Sequence, residues 1–132
     1  MVNKEIKLLV EYWQKSAKRD YETMLGLFKL KRYPESLFFG HIALEKILKA
    51  LVVKKTGKEA PKIHDLVKLA ELAGLDLEKE EVVLLKIINR FNMRARYPDV
   101  KLRFYQRCDY NYANRHLRNI KDLYKKLWER IK

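Results

Sequence analysis

Apolar residues recur along the chain at spacings of three and four with charges between them, the pattern of amphipathic helices sharing a core. Ile6, Leu9, Val10, Trp13, Ala17, Met24 and Phe28 predict a first helix over residues 3 to about 31. Tyr33-Pro34 breaks it, because proline lacks the amide hydrogen a helix interior needs. A second helix is predicted from 35 to about 55, with Ser36 or Glu35 near its start. Its apolar positions are Phe38, Ile42, Leu44, Ile47, Leu48, Leu51 and Val52. Gly57 ends it and Pro61 cannot continue it. A short third helix runs over about 64–73 and stops at Gly74, and a fourth starts at Asp76 or Glu78 and carries Val82, Leu85, Ile88 and Phe91. From 92 to about 108 the period is lost around Arg96-Tyr97-Pro98-Asp99, so an irregular segment is expected there. In a last helix, about 109–131, Leu117, Ile120, Tyr124, Leu127 and Ile131 alternate spacings of three and four as a bundle seam does. No strand alternation, repeat or linker interrupts the series. The expectation is an all-α, up-and-down four- or five-helix bundle forming one domain over 1–132.

Bulk properties narrow the setting. At 132 residues and 48% hydrophobic content, the chain suits one domain that buries a core without metal or disulfide staples. Nothing approaches the roughly 18 consecutive apolar residues of a membrane helix. Glu5 and Glu11 interrupt the N-terminal apolar pattern, which therefore does not read as a signal peptide. The single Cys108 cannot form an internal disulfide, although it could pair between chains, and it suits a reducing compartment. A cytoplasmic location is expected.

Charge adds more. Thirty Lys and Arg against 17 Asp and Glu give a net charge of +13. The excess is uneven: 13 basic and 4 acidic residues lie between Arg90 and Lys132, whereas Glu71 to Glu81 is acidic. An asymmetric field of this size suggests a face that meets nucleic acid, nucleotide, an anionic membrane or an acidic partner protein. The competing explanation is a highly charged soluble surface of the thermophile kind.

Three groups of residues are candidates for chemistry. His41, Glu45 and Lys49 lie four apart on one helix face, beside Lys46. An intrahelical ion pair explains that spacing by itself, and a metal site built from His41 and Glu45 lacks a third ligand. His64 and Asp65 stand where a helix begins, so Asp65 can cap it, and His64 titrates near neutrality if exposed. Arg94, Arg96, Tyr97 and Asp99 occupy the irregular segment, where guanidinium forks match phosphate and a phenol can stack on a base. The alternative there is a turn whose arginines pair with acids of the bundle.

Taken in order, these groups resemble the HEPN domain (higher eukaryotes and prokaryotes nucleotide-binding). The resemblance rests on Trp13, Ala17 and Asp20; then Ala43, Glu45, Lys46, Lys49 and Ala50; then His64, Asp65 and Leu66; and last Arg96 to Asp99. It covers nearly the whole chain. It implies a helical bundle that dimerises and works with a separate minimal nucleotidyltransferase protein, often in a toxin–antitoxin pair. Many members of the family are metal-independent ribonucleases with an Arg-x(4–6)-His motif. Here Arg90, Arg94, Arg96, Arg103 and Arg107 reach no His within that window, and His116 lies beyond it from Arg107.

The resulting expectation is a nucleotide- or RNA-phosphate-binding protein, with the reading leaning against an enzyme. Lys46, Lys49, Arg94 and Arg96 would hold phosphate and Tyr97 would stack on a base. His41, Glu45, His64, Asp65 and Asp99 would support them, Glu45 and Asp65 by orienting the cations. No metal and no cofactor is expected. One rival is a ribonuclease toxin using Arg107 and His116; another is a structural interaction module. Tyr105, Tyr110 and Tyr112 crowd one segment and suggest a homodimer.

Overall fold

Six helices form in the computed structural model, which describes residues 2–94 and 96–132; Met1 and Ala95 lie outside the described residues. They are α1 (Asn3–Lys29), α2 (Tyr33–Thr56), α3 (Leu66–Leu72), α4 (Lys79–Asn89), α5 (Pro98–Arg107) and α6 (Tyr110–Ile131). No strand occurs among the described residues. The architecture is the expected all-α bundle, with one helix more than the periodicity predicts.

The centre is α2, which packs against α1, α3, α4 and α6. Leu37, Leu44, Ile47, Leu48 and Val53 are fully buried on it, as befits a helix that is apolar on nearly every side. Gly40 lets the neighbours approach: a methyl group there would lie 2.7 Å from Ile120 Cδ1 and 3.0 Å from Met24 Sδ. The Ser36 hydroxyl donates to the Met24 carbonyl at 2.8 Å, tying the start of α2 to α1. At the other end Lys54 Nζ donates to the carbonyls of Arg130, Ile131 and Lys132, closing the last turn of α6. The seam predicted for α6 is buried: Leu117, Ile120, Tyr124, Leu127 and Ile131 all face the core.

Tyr33 and Pro34 belong to α2. Pro34 sits in its first turn, where a missing amide hydrogen costs nothing. The break lies just before, at Lys31, whose φ of 62° is left-handed. The Arg32 amide donates to the Leu27 carbonyl and the Lys31 amide to Phe28, so the turn satisfies the last carbonyls of α1. The third helix starts two residues later than predicted, leaving His64 outside it and Asp65 as its cap.

The expectation of an irregular segment over 92–108 is corrected. Pro98 opens α5, with Asp99 in its first turn and Arg107 in its last, both favourable to the helix dipole. It has no buried residue, and Phe104, stacked on Phe91 at 5.7 Å between centroids, is its anchor. A helix held by so narrow a strip leaves little periodicity to read.

Candidate functional site

The site grows from Glu45, a carboxylate in the middle of α2 that is only 4% exposed. An isolated charge there would be very costly, so its partners matter. Lys49 Nζ lies 3.0 Å away, one turn along the same helix. Arg94 Nη2 lies 2.6 Å from Oε1, brought in from the segment after α4. His64 Nδ1 donates to both carboxylate oxygens at 3.1 Å. Burial by itself would push the Glu45 pKa up. The hydrogen bonds from His64, Lys49 and Arg94 outweigh that and hold it below the usual carboxylate range.

Aromatic faces complete the setting. Lys49 Nζ stands 5.3 Å from the Trp13 ring centroid, and the Arg94 guanidinium 5.9 Å from that of Phe38. His41, fully buried, donates from Nε2 to the His64 carbonyl at 3.1 Å. Because a carbonyl can only accept, Nε2 carries the proton and Nδ1 is bare, 3.9 Å from Glu45. Burial pushes the His41 pKa down to about 4, against the pull of Glu45. His41 thus braces the His64 backbone and stays neutral.

Five expected residues, His41, Glu45, Lys49, His64 and Arg94, therefore meet. Lys46 points along the next face of α2, 2.6 Å from both Asp20 Oδ2 and the Ser16 hydroxyl. Asp65 is not an orienter of cations. Its carboxylate accepts from the Val67 and Lys68 amides and from the Asn89 side chain, and Asn89 Oδ1 accepts from the Leu66 amide. Short reach explains the change, since a cap sits within its own helix turn. Asn89 drew no attention in the sequence, having no periodic or charged signal. Asp99 pairs with exposed Arg103 at 3.5 Å, away from Glu45. Arg96 donates to the Asn92 carbonyl, and Tyr97 is 78% exposed.

His116 is packed, not presented. It is 8% exposed, with the rings of Tyr112 and Phe91 at 4.5 and 5.2 Å between centroids. Burial and then Arg115 push its pKa down. Tyr112 is half-buried beside it, so it does not belong to an exposed strip with Tyr105 and Tyr110. Cys108 is buried and its thiol is pushed up to about 12, chiefly by burial, which makes it a poor nucleophile and a poor partner for another chain. Among the described residues no three His, Cys, Asp or Glu side chains are grouped to hold a metal ion, and no helix is long and apolar enough to cross a membrane.

Comparison with known proteins identifies the family and the fold. The sequence matches the HEPN domain over residues 10–130, nearly its full length. No curated protein matches it significantly. The fold is similar to that of the protein TT1696 from Thermus thermophilus, with a TM-score of 0.74 at 20% identity, over 91% of this chain and 96% of that one. At that identity the likeness speaks for the fold.

Proposed function

The chain belongs to the HEPN domain family, and from that premise we propose that it binds nucleotide or RNA phosphate in partnership with a minimal nucleotidyltransferase protein, as one half of a toxin–antitoxin pair in the cytoplasm. Family membership supports a role connected with nucleotides or RNA. The observation that carries the reading is the Glu45 cluster. One carboxylate is met by two full cations and a histidine, so positive charge is left over at its mouth. The outward members are Arg94 and His64, whose side chains are 37% and 49% exposed. Arg94 keeps donors for a phosphate oxygen while Glu45 fixes its position. Arg96 and Tyr97 stand exposed just beyond it, supplying a second fork and a stacking face. Lys49 and Lys46, each held by a carboxylate, add to the field from behind.

Isolation of the tagged protein from its host, with identification of what accompanies it, tests the reading. A small nucleotidyltransferase and bound nucleotide or RNA are expected. A clean preparation carrying neither contradicts it. The protein is expected to act as a homodimer, because Leu102, Tyr105 and Tyr110 leave apolar surface exposed along α5 and the start of α6.

A ribonuclease reading is favoured by one specific observation. His64 Nδ1 donates to Glu45, which turns Nε2 away from that carboxylate as a candidate base, and Arg94 binds the same carboxylate. If purified protein cuts RNA in EDTA, and His64→Ala abolishes cutting while His116→Ala spares it, that reading replaces the binder. The expected result is no discrete cutting.

A further inference from the structure

Across α6 from its buried seam runs a second stripe. Arg118, Asp122, Lys125 and Glu129 are spaced four, three and four apart, so they share one face, and all four are exposed. Their signs alternate along the helix. Arg118 with Asp122, and Lys125 with Glu129, have the spacing of intrahelical ion pairs. Neither pair forms among the described residues; Glu129 meets Lys132 instead, at 3.2 Å with both side chains 66% exposed. The stripe's charges are therefore turned outward.

An alternating stripe of four is its own complement when reversed. Set against an antiparallel second copy, about a two-fold axis near Leu123 and Tyr124, Arg118 faces Glu129 of that copy and Asp122 faces its Lys125. Symmetry repeats both contacts, giving four attractive pairs in one register over about 16 Å of helix. A parallel copy in register would set like charges together. Lys121 and Lys126 stand on opposite margins of the stripe, and Lys126 is held by Glu81 at 2.6 Å.

The stripe also borders apolar surface. α1 and α6 both pack on α2 but scarcely on each other. The gap between them holds two adjoining cavities of about 470 and 480 Å³, both lined by Tyr21, Leu25 and Lys125. A ladder of rings bridges it, Tyr21 on Tyr124 at 4.0 Å and Tyr124 on Trp128 at 5.5 Å between centroids. Arg118 and Asp122 line one cavity and Glu129 the other, so a copy seated on the stripe covers part of this aromatic surface. Apolar burial then supplies attraction, and the charges set orientation and register.

We propose that this face of α6 is a self-association surface, occupied by the same face of a second copy and separate from the apolar surface on α5. It shares no residue with the Glu45 cluster and is independent of phosphate binding. Exposed ion pairs contribute little each, and a net charge of +13 opposes approach, so the contact is weak and forms at about 0.1–1 mM protein.

The test is sedimentation equilibrium of the full chain from about 20 μM to about 1 mM, at about 0.1 M salt. The average mass of the wild type should climb toward twice its low-concentration value, whichever species dominates there. Arg118→Glu turns two symmetric pairs repulsive and should weaken this association at least about tenfold. Arg118→Glu/Glu129→Arg keeps the net charge and restores both pairs, so association should return to within about threefold of wild type. That rescue comes although the swap sets like charges four apart within the helix. Melting curves check folding. If Arg118→Glu does not fold, Asp122→Lys and its swap Asp122→Lys/Lys125→Asp make the same comparison. A swap as weak as the single reversal overturns the proposal, because the stripe would then act only within its own helix. An unaffected single reversal also overturns it, since association would use another face, and so does a wild-type mass that stays level to about 1 mM.

Discussion

Acidification should withdraw a defined part of the protein's stability through His41. The side chain is fully buried, its Nε2 is used by the His64 carbonyl, and among the described residues Nδ1 has no hydrogen-bond partner. Burial outweighs the upward pull of Glu45 and of the hydrogen bond to the His64 carbonyl, and with Arg94 and the His64 ring pushing the same way it brings the His41 pKa from 6.5 to about 4. The unfolded chain therefore takes up a proton before the folded one does. Neutral His41 costs the fold nothing above pH 6.5; as pH falls toward 4, proton uptake increasingly favours unfolding. At 1.36 kcal/mol per pKa unit, the full loss is roughly 3 kcal/mol. Most of it is complete by pH 4.5. His41→Gln removes the titration and keeps an amide donor for the His64 carbonyl. The assay is urea unfolding of both proteins between pH 7 and 4.5. The wild type should be the more stable at pH 7, and the gap should narrow by about 2–3 kcal/mol on acidification. His116 and Glu45 titrate in both proteins and cancel in the difference. A gap that stays constant with pH would refute the assignment of a neutral, desolvated His41.

Three further expectations follow from particular contacts. Glu45→Gln leaves Lys49, 8% exposed, without its counter-charge; since Arg94 and His64 reach solvent, the cost should be about 3 kcal/mol in urea unfolding at pH 7. Because Glu45 is held below the usual carboxylate range, its contribution is present above about pH 4.5 and is lost below that, so the variant should show a flatter acid limb. Lys31→Gly relieves the left-handed φ of 62° and should stabilise the fold by about 0.5–1 kcal/mol, read as a raised Tm. Sedimentation velocity should find a dimer that Leu102→Asp/Tyr105→Asp separates, and a wild-type monomer at high micromolar concentration contradicts the homodimer.

The parts of this molecule that the sequence reveals are those with local causes. Met24 and Phe28 on α1, and the run from Leu117 to Ile131 on α6, repeat at helical spacing because each turn meets the same core. Asp65 and Glu78 mark helix starts because a cap acts within its own turn. The ion pair of Glu45 with Lys49 is visible for the same reason, one turn of helix. α5 escapes notice because it rests on Phe104 and buries nothing. The remaining partners of Glu45 are long-range: His64 is 19 residues away and Arg94 is 49. Only the packing of α2 under two later segments brings them together.

The most direct test of phosphate binding is the affinity of the wild-type protein for a single-stranded RNA across a series of salt concentrations, measured by fluorescence anisotropy. Each neutralised phosphate contributes about −0.7 to the slope of log affinity against log salt, so engagement of three or more phosphates gives a slope near −2 or steeper. Arg96→Gln with Tyr97→Ala should weaken binding and make that slope shallower, because it removes a charge and a stacking face without touching Glu45. Affinity that is absent at low salt, or that is indifferent to salt and to these substitutions, would contradict the account.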